Sequence, residues 1–154
     1  MTIIYVDADA CPVKDETLKV AGRHGLKTII VSNGGIRPSR DPLVEVVIVP
    51  RKPDAADIWI AERIGPADIC VTADIPLADR CLKAGARVLN PNGETFTEAG
   101  IGQALAMRDL MADLRAANPL DFAAGGSGRA FLRADRSRFL DNLERLVRAA
   151  KRGD

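Results

Sequence analysis

Ile3-Ile4-Tyr5-Val6-Asp7-Ala8-Asp9-Ala10-Cys11-Pro12 decides how this chain reads, because an apolar strand runs there straight into two carboxylates one residue apart. Residues Ile3 to Val6 are β-branched or aromatic and none is charged, the pattern of a strand buried on both faces of a parallel sheet. Asp7 and Asp9 fall at its carboxyl end, where open α/β sheets bind their ligands. On an extended segment their i, i+2 spacing turns both side chains to one side. Two carboxylates held close without a cation repel each other, and a divalent ion that prefers hard oxygen ligands, magnesium or manganese, removes that cost. Pro12 then opens a helix, its fixed φ suiting the first position.

Outward from this stretch, the elements alternate. Val13 to His24 reads as a helix with Asp15 and Glu16 in its first turns and Gly25 as its stop. Leu26 to Val31 is a second strand, closed by Ser32-Asn33-Gly34-Gly35, and the breakers from Gly34 through Pro42 predict a long loop. Leu43 to Val49 is a third strand, ended by Pro50-Arg51-Lys52-Pro53. Asp54 then reads as the N-cap of a helix over Ala55 to Ile64 that carries Asp57. A fourth strand, Asp68 to Thr72, runs into Ala73-Asp74 and repeats the opening pattern. A short helix from Pro76 to Ala84 carries Asp79, and Ala86 to Leu89 is a fifth strand before the turn Asn90-Pro91-Asn92-Gly93. Strands alternating with helices predict a right-handed parallel sheet with helices on both faces. From Thr97 onward the pattern is helical: Thr97 to Ala117 with a break near Met107, a connector around Gly125-Gly126-Ser127-Gly128, and a last helix from about Asp135 with an apolar stripe of Phe139, Leu140, Leu143, Leu146 and Val147.

The length of 154 residues suits one domain with one sizeable core. No apolar run is long enough to span a bilayer, and Asp7 and Asp9 interrupt the only candidate for a signal peptide, so a soluble cytoplasmic protein is expected. Three scattered cysteines, Cys11, Cys70 and Cys81, suit reduced thiols rather than a disulfide framework or a zinc site. Net charge is only +1, but residues 129 to 154 hold eight Lys/Arg against four Asp/Glu, while residues 1 to 128 hold fourteen against seventeen. A basic tail beside an acidic body is compatible with phosphate-backbone contacts. The apolar residues between Ala99 and Ala117 are suited to packing on the sheet or against a second copy in a homodimer.

Asp7, Asp9, Asp54, Asp57 and Asp74 are the candidates for one acidic site, with Asp79 as a sixth. In a doubly wound sheet the first and fourth strands flank the topological switch point, which sets Asp7 beside Asp74. Asp54 and Asp57 stand at the amino end of a helix that begins on the same sheet edge, three residues apart and so leaning the same way. Capping explains Asp54, dipole compensation explains Asp57, and Asp79 reads as a solvated helix residue. Asp7, Asp9 and Asp74 resist such explanations, since acids abutting buried strands are costly to desolvate unless they bind something.

Val6-Asp7-Ala8-Asp9-Ala10-Cys11-Pro12, Val71-Thr72-Ala73-Asp74-Ile75-Pro76-Leu77-Ala78, Leu89-Asn90-Pro91-Asn92-Gly93-Glu94 and Met107-Arg108-Asp109-Leu110-Met111 resemble strings of the bacterial YaiI/YqxD family, which is functionally uncharacterised. A wider similarity to PIN-like and NYN nucleases implies a compact three-layer α/β fold with a five-stranded, mainly parallel sheet and extra C-terminal helices. It also implies an acid cluster holding Mg²⁺ or Mn²⁺ at the strand carboxyl ends. By that resemblance Asp7 is the first-strand acid, Asp57 the helix acid and Asp74 the acid of a Thr-x-Asp segment, with Asp9 or Asp79 as the fourth. The Asp-x-Asp pair on the first strand departs from a plain PIN domain.

Metal-assisted phosphodiester hydrolysis follows as the expected activity, with Asp7, Asp9, Asp57 and Asp74 as catalytic and metal-holding residues and RNA as the expected substrate. Lys14, Ser32, Asn33, Arg37 and Arg40, together with Arg51 and Lys52, are the candidates for substrate contacts. Few aromatic residues predict poor sequence specificity. The rival reading is a haloacid-dehalogenase-type phosphatase with Asp7 as nucleophile, Asp9 as general acid and Ser32 as phosphate-binding hydroxyl. A cap domain is not apparent for it, and Pro12 stands where its loop is usual. A third reading is a non-catalytic module that binds RNA or a protein through the basic last helix. His24, at the far end of the helix that Cys11 precedes, reads as a helix-end residue rather than a dyad partner. Trp59 reads as core.

Overall fold

The computed structural model of the chain describes residues 2–8, 12–52, 54–117 and 133–152. Strands β1 (Ile3–Asp7), β2 (Lys27–Ser32), β3 (Val44–Ile48), β4 (Ile69–Val71), β5 (Arg87–Leu89) and β6 (Thr95–Phe96) form one sheet in the order β3-β2-β1-β4-β5-β6. The five expected strands are all mutually parallel, and β1 lies between β2 and β4 as a doubly wound topology requires. A sixth strand, β6, extends the edge by pairing antiparallel with β5. Two residues are too short a run for any period to show, so this extension of the five-stranded expectation had no visible signal.

The alternation of β1 sorts the two cores. Ile4 and Val6 face one side, where α1 (Lys14–His24) and α5 (Arg133–Arg152) bring Val20, Ala21, Phe139, Leu143 and Val147. Tyr5 faces the other, where α2 (Ala55–Ala61), α3 (Ile75–Lys83) and α4 (Glu98–Ala117) bring Ile60, Leu77, Cys81 and Ile101. These layers make a three-layer α/β fold. The central strands are buried and the edge strand β3 is half-exposed, which accounts for the uninterrupted apolar runs read in the sequence.

Several boundaries differ from expectation. α1 begins at Lys14 with Val13 in the capping position, and α2 stops at Ala61 rather than Ile64. The residues beyond it stay hydrogen-bonded as turns, Arg63 N–H and Ile64 N–H both donating to the Ile60 carbonyl. α4 runs unbroken through Met107, because that segment holds good helix formers and no proline. Its first half packs on the core through Ile101 and Leu105. Its second half leaves Met107, Leu110, Met111 and Leu114 exposed. The glycine cluster 125–128 lies outside the described residues. None of the described helices is long and apolar enough to cross a membrane.

The Asn90–Gly93 turn is stapled to α5. Asn142 donates its side-chain amide to the Gly93 carbonyl and Arg138 donates to the Asn92 carbonyl at 3.4 Å. Gly93 has φ +89, and a Cβ there would stand 2.6 Å from the Phe139 nitrogen and 2.7 Å from the Arg138 carbonyl carbon. Both obstacles are backbone, so Gly93→Ala is expected to destabilise the fold by about 3 kcal/mol or more, read as a loss of melting temperature.

Candidate active site

Asp7 ends β1 and Asp74 precedes α3, one strand over. Between them Thr72, fully buried, acts as a tie: its hydroxyl donates to Asp7 Oδ2 at 2.9 Å and accepts from the Asp74 backbone N–H at 2.9 Å. Asp74 in turn caps α3, its Oδ1 accepting from Leu77 N–H at 3.0 Å. The threonine of Thr72-Ala73-Asp74 therefore fixes the rotamer of an acid 65 residues away. Sequence reading had singled out only the two acids.

Asp57 comes from the other side of the cleft. It sits in the first turn of α2, only 8 % exposed, where dipole compensation alone would leave it in water. Burial raises its pKa, and the charges of Asp74 and Asp7, a side-chain hydrogen bond with Asp74 and the charge of Asp54 add to the effect, so that it is pushed up to about 7. Asp54 occupies the N-cap position of α2 but makes no side-chain cap, contrary to its expected role. Asp79 pairs with Lys83 at 2.9 Å on α3; its own side chain is only 17% exposed, so the ion pair and not open solvent accounts for it, unlike the solvated residue expected.

Asp7, Asp57 and Asp74 line an open cleft of about 500 Å³ together with Ala56 and Ala73. Its remaining wall is Asn33, after β2, and Val49 through Lys52, after β3. Arg51 and Lys52 are thus the cations beside the acids. Arg37 and Arg40 lie exposed on the β2–β3 loop and Lys14 opens α1, all three outside that lining. Ser32 is buried; its hydroxyl donates to the Gly34 carbonyl at 3.0 Å and accepts from Gly34 N–H at 3.1 Å, which braces the turn that presents Asn33. Asp9 and Cys11 lie outside the described residues. Behind the acids, Cys70 on β4 and Cys81 on α3 are buried thiols in mutual contact, and their hydrogen bond together with burial pushes the Cys70 thiol up.

Among the described residues no three acid, histidine or cysteine side chains form a preassembled metal cage. The donor set nonetheless suits a hard cation that keeps much of its hydration shell. Magnesium is usually held by one or two carboxylates and several waters, and three acids share this cleft, one of them kept from ionising at its ordinary pH by burial and then by its neighbours' charges.

His24 and Trp59 are accounted for without chemistry. His24 Nε2 and Glu144 Oε2 are 2.7 Å apart and join the end of α1 to the middle of α5. Trp59, half-buried, meets Tyr5 at 6.3 Å between ring centres and carries the Arg63 guanidinium 4.1 Å over its own ring.

A buried parallel sheet whose first and fourth strands deliver acids to one crevice defines an α/β protein with an acidic cleft at the topological switch point. The chain belongs to the family described as "Uncharacterized BCR, YaiI/YqxD family", whose profile matches residues 5–149. It is 67% identical over 152 residues to a UPF0178 protein of Ruegeria pomeroyi, covering 99% of this chain and 97% of that one. It is 63% identical over 150 residues to a UPF0178 protein of Roseobacter denitrificans, covering 97% of each. A UPF0178 protein of Rhodospirillum rubrum is 55% identical over 151 residues, covering 97% of this chain and 98% of its own. No solved structure matches the chain.

Proposed function

We propose that this protein is a metal-dependent phosphodiesterase that cleaves RNA in the cytoplasm. The observation that carries the reading is the convergence of Asp7, Asp57 and Asp74 on one cleft that Arg51 and Lys52 also line. Burial first, and then the charges of Asp74 and Asp7, push Asp57 up to about 7; a cation among the three acids would relieve that repulsion, and hard oxygen donors select Mg²⁺ or Mn²⁺. Asp7, Asp57 and Asp74 would hold such an ion, which would supply a water of lowered pKa and neutralise charge on the phosphoryl oxygens.

The chain's own residues do the rest. Thr72 holds Asp7 in one rotamer, and the α3 cap holds Asp74, so both carboxylates are oriented before any ligand arrives. Arg51 and Lys52 give the phosphate backbone its cationic contacts, and Asn33 offers an amide to sugar or phosphate. No side-chain nucleophile is required. The phosphatase alternative draws no support from Ser32, whose hydroxyl is spent on its own turn.

The test is cleavage of an end-labelled single-stranded RNA by the purified protein in Mn²⁺ and in excess chelator. Cutting in Mn²⁺ that stops in chelator is the expected outcome. Absence of cutting, with a beryllofluoride adduct forming on Asp7, would replace this reading by the phosphatase one.

A further inference from the structure

The outward face of α5 sorts charge by sign. Its acids Asp135 and Glu144 are drawn toward the protein and each engages one arginine of the helix: Asp135, 1 % exposed, lies 3.6 Å from Arg138, and Glu144 is held by His24 on α1 and by Arg148 at 2.8 Å, so that Arg145 and Arg152 are the main cations of that face. Directly opposite the buried Phe139, Leu143 and Val147, the exposed face carries Arg138, Arg145, Arg148 and Arg152 against a single acid, Asp141. Arg138, Arg145 and Arg152 repeat every seven residues, two helical turns, and so make a nearly straight row about 21 Å long. A solvated face needs no such sorting, and a helix surface normally intersperses both signs. The row also has a direction: Arg136 pairs with Glu16 near the start of α1 at 3.0 Å and Glu144 with His24 at its end. α5 therefore runs alongside α1, from the sheet edge that bears the cleft toward the opposite edge.

We propose that this arginine row is a second nucleic-acid contact, a track for the phosphate backbone of an RNA strand that is separate from the acidic cleft. The electrostatics favour a polyanion, and guanidinium groups suit phosphate geometry. A membrane surface is the weaker fit, because amphipathic helices that bind bilayers insert their apolar face and that of α5 is occupied by the core.

The experiment measures binding of a fluorescein-labelled 20-nucleotide RNA by anisotropy, in chelator so that cleavage plays no part, across a series of salt concentrations. Arg145→Glu with Arg152→Glu is expected to weaken binding at least tenfold and to reduce the slope of log affinity against log salt by more than about one. Arg145→Lys with Arg152→Lys is expected to bind within about threefold of the parent, since the charge persists. Unchanged RNA affinity and slope in the reversed pair would overturn the proposal. So would unchanged RNA binding accompanied by lost binding to phosphatidylglycerol vesicles, which would assign the face to a membrane. Cleavage of a dinucleotide, too short to reach α5, reports on the cleft alone, so either proposal can fail while the other stands.

Discussion

Asp74→Asn is expected to lower metal-dependent RNA cleavage at least about a hundredfold while leaving the melting temperature nearly unchanged. The two effects separate because Asp74 has two duties. Its Oδ1 caps α3 by accepting from Leu77 N–H, and asparagine is as good a cap as aspartate. Its charge, which helps to hold the proton on Asp57, has no substitute in an amide. A loss of rate with an intact fold, read from initial rates and a thermal melt, therefore isolates the electrostatic duty. Activity within a few-fold of the parent would remove Asp74 from the metal site.

Asp57→Asn is expected to stabilise the metal-free protein at pH 8 by an amount on the order of a few kcal/mol. Asp57 is pushed up to about 7 in the fold, against the ordinary aspartate value of 3.8 in the unfolded chain. Between those values the folded chain holds a proton that the unfolded chain has released, so the unfolded state binds fewer protons and stability falls as pH rises. The loss begins near pH 4 and is complete above about pH 7. Asparagine cannot ionise, so the variant lacks that slope, and parent and variant converge near pH 4. Urea melts at a series of pH values measure this directly. Parallel pH profiles would mean that Asp57 ionises normally and that the cleft is less anionic than the geometry states. A substitution that stabilises by removing a buried acid is the behaviour expected of a site kept for function at a cost to the fold.

Much of this architecture was legible because buried strands are unambiguous. Ile3 to Val6 and Ile69 to Thr72 are dominated by apolar side chains and carry no charge, so their place in the sheet centre follows, and with it the meeting of Asp7 and Asp74. Asp57 was legible by position but not by environment: nothing in Ala55-Ala56-Asp57 announces that the side chain is buried, since burial depends on how α2 lies against the sheet. The cationic lining shows the same limit. Arg37, Arg40, Arg51 and Lys52 all sit on loops at one edge, and only the path of the backbone selects the last two for the cleft. Thr72 was visible only as part of a Thr-x-Asp string, because a threonine in a β-rich run is ordinary, and its bridging role appears only once β1 and β4 are neighbours.

That neighbour relation has a bearing on synthesis. The β1–β4 pairing closes a loop of 65 residues, and such non-local contacts form late because their entropic cost precedes their reward. Nearly half the chain must therefore leave the ribosome before Asp7 can meet Thr72 and Asp74. A nascent chain shorter than that carries Asp7 without either partner, and the acid cluster assembles only once both segments are outside.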